Sequence, residues 1–266
     1  MDLYKTFSSK QIIALTLCAA LIIAAFATVS VGAASVATSG NSRLLPIYSV
    51  KRDTDNKVIS ISFDAAWGNE DTETLIEILD AHNIKTTFFV VGSWVDKYPE
   101  SVKALSDAGH EIMNHSDSHP HMPKLSKEQM RAEIEACNNK IEAITGVRPT
   151  LFRPPYGEYC DTLIEVLDEL GMYCIQWDVD SLDWRDPPPS KICERVCSNV
   201  TSGSIVLFHN AAINTPAALP SLLEMLQSSG YTIVPVSQNI HYENYIIDHQ
   251  GKQLTSAVSS TDTATQ

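Results

Sequence analysis

Short apolar, β-branched runs recur along the chain at 58–63, 86–91, 111–113, 150–152, 173–179, 204–208 and 232–236. Each has the length and composition of a buried strand. Between them the apolar positions change to helical spacing. Leu75, Ile76, Ile78 and Leu79 mark a first helix. The segment 99–108 has Pro99 near its start and Gly109 beyond its end. Ser126 and Gln129 have capping-box spacing ahead of a long helix that Gly146 stops. Asp161 can cap a further helix closed by Gly171, Ser190 can cap another, and 219–226 is followed by Gly230. Strands that alternate with helices are parallel, because parallel neighbours need crossovers, and the helices then cover the sheet. A doubly wound sheet and a barrel both satisfy this pattern. No glycine-rich phosphate loop or dinucleotide fingerprint follows the first strand. The reading is therefore an α/β, single-domain, incomplete or distorted (β/α) barrel of about seven parallel strands.

The chain ends read differently. Lys5 and Lys10 precede an apolar run over 12–31, and the small residues Gly32, Ala33, Ala34 and Ser35 follow. Residues 1–36 are thus expected to be either a cleaved signal peptide or an N-terminal membrane anchor. The lysines before the run place the remainder outside the cytoplasm in both cases. Residues 37–50 read as a linker, 51–247 as the folded domain, and the Ser/Thr-rich 248–266 as a disordered tail.

Composition sharpens this picture in two ways. The net charge is -13, from 32 acidic against 19 basic residues, a surface that repels phosphate backbones and argues against nucleic acid as a partner. Six cysteines in 266 residues are too few for a disulfide scaffold, and no Cys-x-x-Cys spacing supports a thiolate zinc site. Cys193 and Cys197, four apart on an expected helix, suit packing better than a disulfide. Cys160 and Cys174 are either buried or paired.

Chemically able residues fall where the expected strands end. Asp64 follows the first, His115 and His119 the third, Arg153 and Tyr156 the fourth, Asp180, Asp183 and Trp184 the fifth, and His209 closes the sixth. In a barrel these ends converge on one face, the face that carries active sites. Each residue also has a plainer reading. The spacing of His115 and His119 suits two metal ligands, yet an isolated His-x3-His is a weak signal, and His121 beyond Pro120 reads as a surface residue. Asp64 can be a helix cap or a base. Arg153 can pair with a surface acid or hold a carboxylate ionised. Asp183 can serve a turn or orient a histidine, and His209 can be a satisfied core imidazole or a proton donor near neutral pH.

Taken together, these segments resemble the polysaccharide deacetylase family (carbohydrate esterase family 4, the NodB-homology domain), and most of all its sporulation-type branch. The likeness runs from about Lys57 to Val236. It rests on Ser62-Phe63-Asp64-Ala65-Ala66-Trp67-Gly68, Thr86-Thr87-Phe88-Phe89-Val90, Asn114-His115-Ser116-Asp117-Ser118-His119, Arg153-Pro154-Pro155-Tyr156-Gly157, Asp180-Ser181-Leu182-Asp183-Trp184 and Ile205-Val206-Leu207-Phe208-His209, in family order. The resemblance implies hydrolysis of N-acetyl groups on a cell-wall glycan, peptidoglycan in the first place. It assigns a divalent metal, zinc or cobalt, to His115 and His119, the base to Asp64 and the acid to His209. Arg153 would hold Asp64, and Asp183 would orient His209. The backbone N–H of Tyr156 would stabilise the oxyanion, and Trp184 and Leu207 would line the groove for the acetyl methyl. One position departs from the pattern. The family's third metal ligand is an aspartate directly after the base, and here that residue is Ala65. Asn69, Glu70 and Asp71 are candidate substitutes, against the plainer reading of Asp71 as a helix cap. The competing function is a catalytically impaired glycan-binding protein on the same fold.

Overall fold

The computed structural model describes residues 43–53, 55 and 57–256. The leader lies outside the described residues. Among the described residues no helix is long and apolar enough to cross a membrane.

The chain runs β1 (Ser49–Val50), β2 (Val58–Ala65), α1 (Thr72–Ala81), β3 (Thr87–Val90), α2 (Gly92–Lys97), α3 (Pro99–Asp107), β4 (Glu111–Asn114), α4 (Lys127–Thr145), β5 (Leu151–Phe152), α5 (Asp161–Glu169), β6 (Tyr173–Cys174), β7 (Val179–Asp180), α6 (Pro189–Asn199), β8 (Ile205–His209), α7 (Thr215–Ser228), β9 (Thr232–Ile233), α8 (Val236–Asn239), β10 (Tyr245–Ile247) and β11 (Lys252–Thr255). The main sheet has the order β6-β5-β4-β3-β2-β8-β7, with β9 also pairing β2. Every pair in it is parallel.

The run 173–179 is two strands rather than one. β6 and β7 lie on opposite edges of the sheet, yet only five residue steps separate Cys174 from Val179, a reach of about 17 Å when fully extended. The sheet must therefore curl until its edges nearly meet, which gives the distorted barrel. The break is filled from the N-terminal side. The Ile47 N–H donates to the Cys174 carbonyl (2.9 Å), and the Gln176 N–H donates to the Ile47 carbonyl (2.7 Å). Ile47 and Val50 are buried, so the end of the expected linker belongs to the fold. The expectation of disorder from 248 onward also fails at its start. β11 pairs β1 in parallel and β10 antiparallel, and Gln253 is fully buried. The pairing partners are remote in sequence, which local composition does not show. Residues 257–266 lie outside the described residues.

Strand β2 shows how the core fixes the site. Ile59, Ile61, Phe63 and Ala65 join the apolar cluster that includes Leu75 and Leu79 of α1 and Leu219, Leu222 and Leu223 of α7. Side chains alternate across a strand, so Ser60, Ser62 and Asp64 take the other face, where they too are buried. Helix ends follow the expected chemistry in part. Ser126 and Gln129 make both bonds of the capping box, and Gly146 caps α4 in the left-handed conformation. Asp161 instead begins α5 as its first residue, and its carboxylate accepts the Leu44 N–H (3.1 Å). Ser190 lies inside the first turn of α6 behind Pro189, with Pro188 at the cap position. The five described cysteines, 137, 160, 174, 193 and 197, are free thiols.

Candidate active site

β2 and β8 are neighbours, and their register pairs Asp64 with His209. Adjacent strands lie about 4.8 Å apart, and register partners in a sheet share a face, so the expected base and acid are presented side by side. β4 and β5 end at Asn114 and Phe152, which places His115 and Arg153 just beyond the sheet. A groove of about 610 Å³ opens there, lined by Asp64, Trp67, His115, His119, Tyr156, Trp184, Leu207 and His209 among others. Arg153 and Asp183 are fully buried behind it.

The carboxylate of Asp64 is set by Arg153. The guanidinium donates through Nη1 to Asp64 Oδ1 (2.8 Å) and through Nη2 to Ser62 Oγ (2.8 Å) and the Gln176 carbonyl (3.3 Å). Its plane lies over the Phe89 ring, 4.1 Å from the centroid. Burial raises the Asp64 carboxyl, but the Arg153 charge above all, with that of His209 and the Arg153 hydrogen bond, outweighs it, and the group stays below its ordinary value. Asp183 does the matching work for His209. It faces His209 Nδ1 at 2.8 Å through Oδ1, while Oδ2 accepts the His209 N–H (2.8 Å) and the Thr215 hydroxyl (2.8 Å). The Trp184 N–H also donates to Oδ1 (2.9 Å). Burial lowers the His209 imidazole, yet the hydrogen bond and charge of Asp183, with Asp64 and Asp180, raise it above its usual value. The two environments push the groups in opposite directions, favouring the ionised form of Asp64 and the protonated form of His209.

The histidine pair sits on a loop held by Glu133 of α4, which accepts the Asp117 N–H (3.0 Å), the Ser118 N–H (2.8 Å) and the Ser118 hydroxyl (2.7 Å). Ser116 and His119 have positive φ, a cost that persists only where the surroundings dictate it. His115 Nδ1 lies 2.7 Å from the Arg153 carbonyl and must donate to it, since a carbonyl only accepts. Burial lowers the His115 imidazole and, as the largest cause, pushes His119 down to about 4. Neutral His115 therefore turns a bare Nε2 toward Asp64 Oδ2, 3.5 Å away. Its ring centroid is 4.9 Å from that of His119. His121 stacks on Tyr156, 4.5 Å between centroids, and pairs with Glu158 outside the groove lining.

A resident divalent metal would need three protein donors here. Deacetylases of the family are generally metal-dependent. The bare Nε2 facing a carboxylate is a place where a cation would relieve repulsion. However, among the described residues no group of three or more His, Cys, Asp or Glu side chains is arranged to hold a metal, and a catalytic zinc usually has three protein ligands. Ala65 is buried in the outer apolar cluster. The three candidate substitutes are not among the groove-lining residues. Asn69 donates to the Ser101 hydroxyl (3.0 Å). Asp71 stands at the cap position of α1 without a capping bond, and its carboxylate accepts the Ala211 N–H (2.8 Å). The residues present do not fit a resident catalytic zinc.

Several contributors were not singled out from sequence. Gln176 and Glu133 act through bonds to residues 15 or more positions away, and nothing local marks them. Ser62 and Trp67 lie in the family-like segment around Asp64, where nothing local assigns them a role.

Comparisons with known proteins place the chain in a family. The family model for polysaccharide deacetylase matches residues 51–175. The peptidoglycan-N-acetylglucosamine deacetylase PgdA of Listeria monocytogenes is 35% identical over 214 residues, covering 79% of this chain and 45% of that protein. The chain spans about half the length of the curated relatives it matches. Among solved structures, BA3943 of Bacillus anthracis, described as a CE4 family pseudoenzyme, superposes with a TM-score of 0.70 at 32% identity over 79% of this chain and 70% of that one. A family 4 carbohydrate esterase from Streptomyces lividans, in complex with acetate, gives 0.64 at 32% identity over 75% and 98%. On this sheet, this groove and these matches, the chain belongs to the polysaccharide deacetylase family, carbohydrate esterase family 4.

Proposed function

We propose that this chain removes N-acetyl groups from a peptidoglycan-type polysaccharide outside the cytoplasm, released or held there by its N-terminal segment, with wall made during sporulation as the setting. The observation that carries this reading is the pairing of two complete couples, Asp64 with Arg153 and His209 with Asp183, on adjacent strands facing one groove. Asp64, ionised, takes a proton from the water that attacks the amide carbonyl. The backbone N–H of Tyr156 stabilises the oxyanion. His209 passes its proton to the nitrogen as the C–N bond breaks, releasing acetate and the free amine. Arg153 and Asp183 hold the two proton-transfer groups in their charge states, and Trp184 and Leu207 receive the acetyl methyl. No step is assigned to a metal.

A second reading has its own support. Ala65 leaves the histidine pair one ligand short, and a similar fold belongs to a described pseudoenzyme, of which a mutant is described as having restored enzymatic activity. On this reading the groove binds glycan without turning it over. Release of acetate from N-acetylglucosamine oligomers or intact peptidoglycan separates the two. Release that Asp64→Asn abolishes supports the hydrolase, and saturable binding without release supports the binder.

A further inference from the structure

The second residue after Ala65 is Trp67, whose indole is 56% exposed on a short loop between β2 and α1. An exposed indole on a loose loop would mean little, but this loop is clamped on both sides of the tryptophan by one buried side chain. Asn210 accepts the Ala66 N–H through Oδ1 (3.2 Å) and donates through Nδ2 to the Gly68 carbonyl. The Gly68 carbonyl also takes the Trp94 Nε1–H (2.9 Å). The Asn210 N–H in turn donates to the Asp64 carbonyl (3.0 Å), and Asp71 holds the next N–H, that of Ala211 (2.8 Å). The backbone around Trp67 is thus fixed to the segment that directly follows His209 at the end of β8. The indole lines the groove and packs against the His209 ring, 5.8 Å between centroids at 47°. Ile213, 76% exposed, lines the same groove.

A rigidly presented apolar plane beside a proton donor is preorganised for a ligand, because little freedom remains to be lost on binding. Pyranose rings match it, with one face of C–H groups and a rim of hydroxyls. We propose that Trp67 is a substrate-binding residue: its indole takes the apolar face of the acetylated sugar whose nitrogen meets His209. The spacing suits this, since the nitrogen must reach His209 while the ring that carries it lies against the adjacent indole. This inference rests on the glycan reading of the site and holds for both the hydrolase and the binder.

The test uses the full chain and a tetramer of N-acetylglucosamine, with calorimetric Kd for the wild type, Trp67→Phe, Trp67→Leu and Trp67→Ala. Aromatic stacking beyond simple burial is worth on the order of a factor of ten. Trp67→Ala and Trp67→Leu are expected to bind about tenfold more weakly and Trp67→Phe within about threefold of wild type, all with near wild-type melting temperatures. Wild-type affinity in Trp67→Leu or Trp67→Ala, with clear binding by the wild type, overturns the role of Trp67 and leaves the glycan reading standing. Loss of affinity in Trp67→Phe equal to that in Trp67→Leu also overturns it, since a ring would then be irrelevant. Absence of binding by the wild type overturns both.

Discussion

The two halves of the groove are finished to different degrees. On the β2–β8 side every charged group has its partner: Asp64 has Arg153, and His209 has Asp183 with a second oxygen already committed to Thr215. On the β4 side His115 and His119 are positioned with equal care, by the Arg153 carbonyl and by Glu133, but among the described residues no third donor joins them. Protein groups neutralise each other within the first half. The second half turns the Nε2 of His115 toward a carboxylate. The contrast teaches that the shape of a loop and the number of donors it offers are set by different residues, so one can be complete without the other.

The largest effect should come from breaking the finished side. Arg153→Leu leaves Asp64 buried without its cation, and removing one member of a buried pair typically costs about 3–5 kcal/mol. Denaturant unfolding should show that loss, and a cost below about 1 kcal/mol would mean that the pair is solvated after all. Next come the proton-transfer groups. In an active preparation Asp64→Asn and His209→Ala should each lower acetate release by about a hundredfold or more, and unchanged turnover in either variant removes that residue from its role. The unfinished side can be probed by completing it. Wild-type protein is expected to bind zinc more weakly than micromolar, and Ala65→Asp to bind at least about tenfold more tightly by calorimetry, as a third ligand should. Equal affinities would show that a carboxylate at position 65 cannot reach the histidines. The smallest effect concerns pH. His209 must hold its proton to act, and Asp183 raises it above 6.5, so activity should fall as pH rises through that raised value. Asp183→Asn should move this alkaline limb to lower pH, and a limb that stays in place would assign it to another group. The same protonation stabilises the fold below about pH 6.5 and ceases to do so as pH rises through the folded value.

Much of this arrangement was readable one segment at a time. The β-branched runs locate β2, β3, β4, β5, β8 and β9, and Ser126, Gln129 and Gly146 mark both ends of α4. Strand ends then collect the reactive residues without knowledge of the tertiary fold. What local pattern could not provide is pairing at a distance. The run 173–179 looks continuous because its residues are uniformly strand-like, and only the curl of the sheet divides it between two edges. Asp161 and Ser190 look like caps because residue type favours that role, whereas Leu44 and the prolines at 188 and 189 decide otherwise. Asn210 has no recognisable signature at all, since its value lies in the loop 142 to 144 positions earlier that it fastens.

The seam between β6 and β7 has a practical outcome for anyone expressing part of the molecule. The stretch 51–175 matched by the family model ends just after β6 and starts after β1. A fragment cut at those borders would retain Asp64, His115, His119 and Arg153 while lacking Asp183 and His209. It would also strip β8 and β9 from β2, baring a long apolar strand edge of the kind that templates aggregation. The stretch that the family model matches in this chain is therefore shorter than its paired sheets, and expression boundaries belong outside residues 47 and 255, which bound the strand pairings.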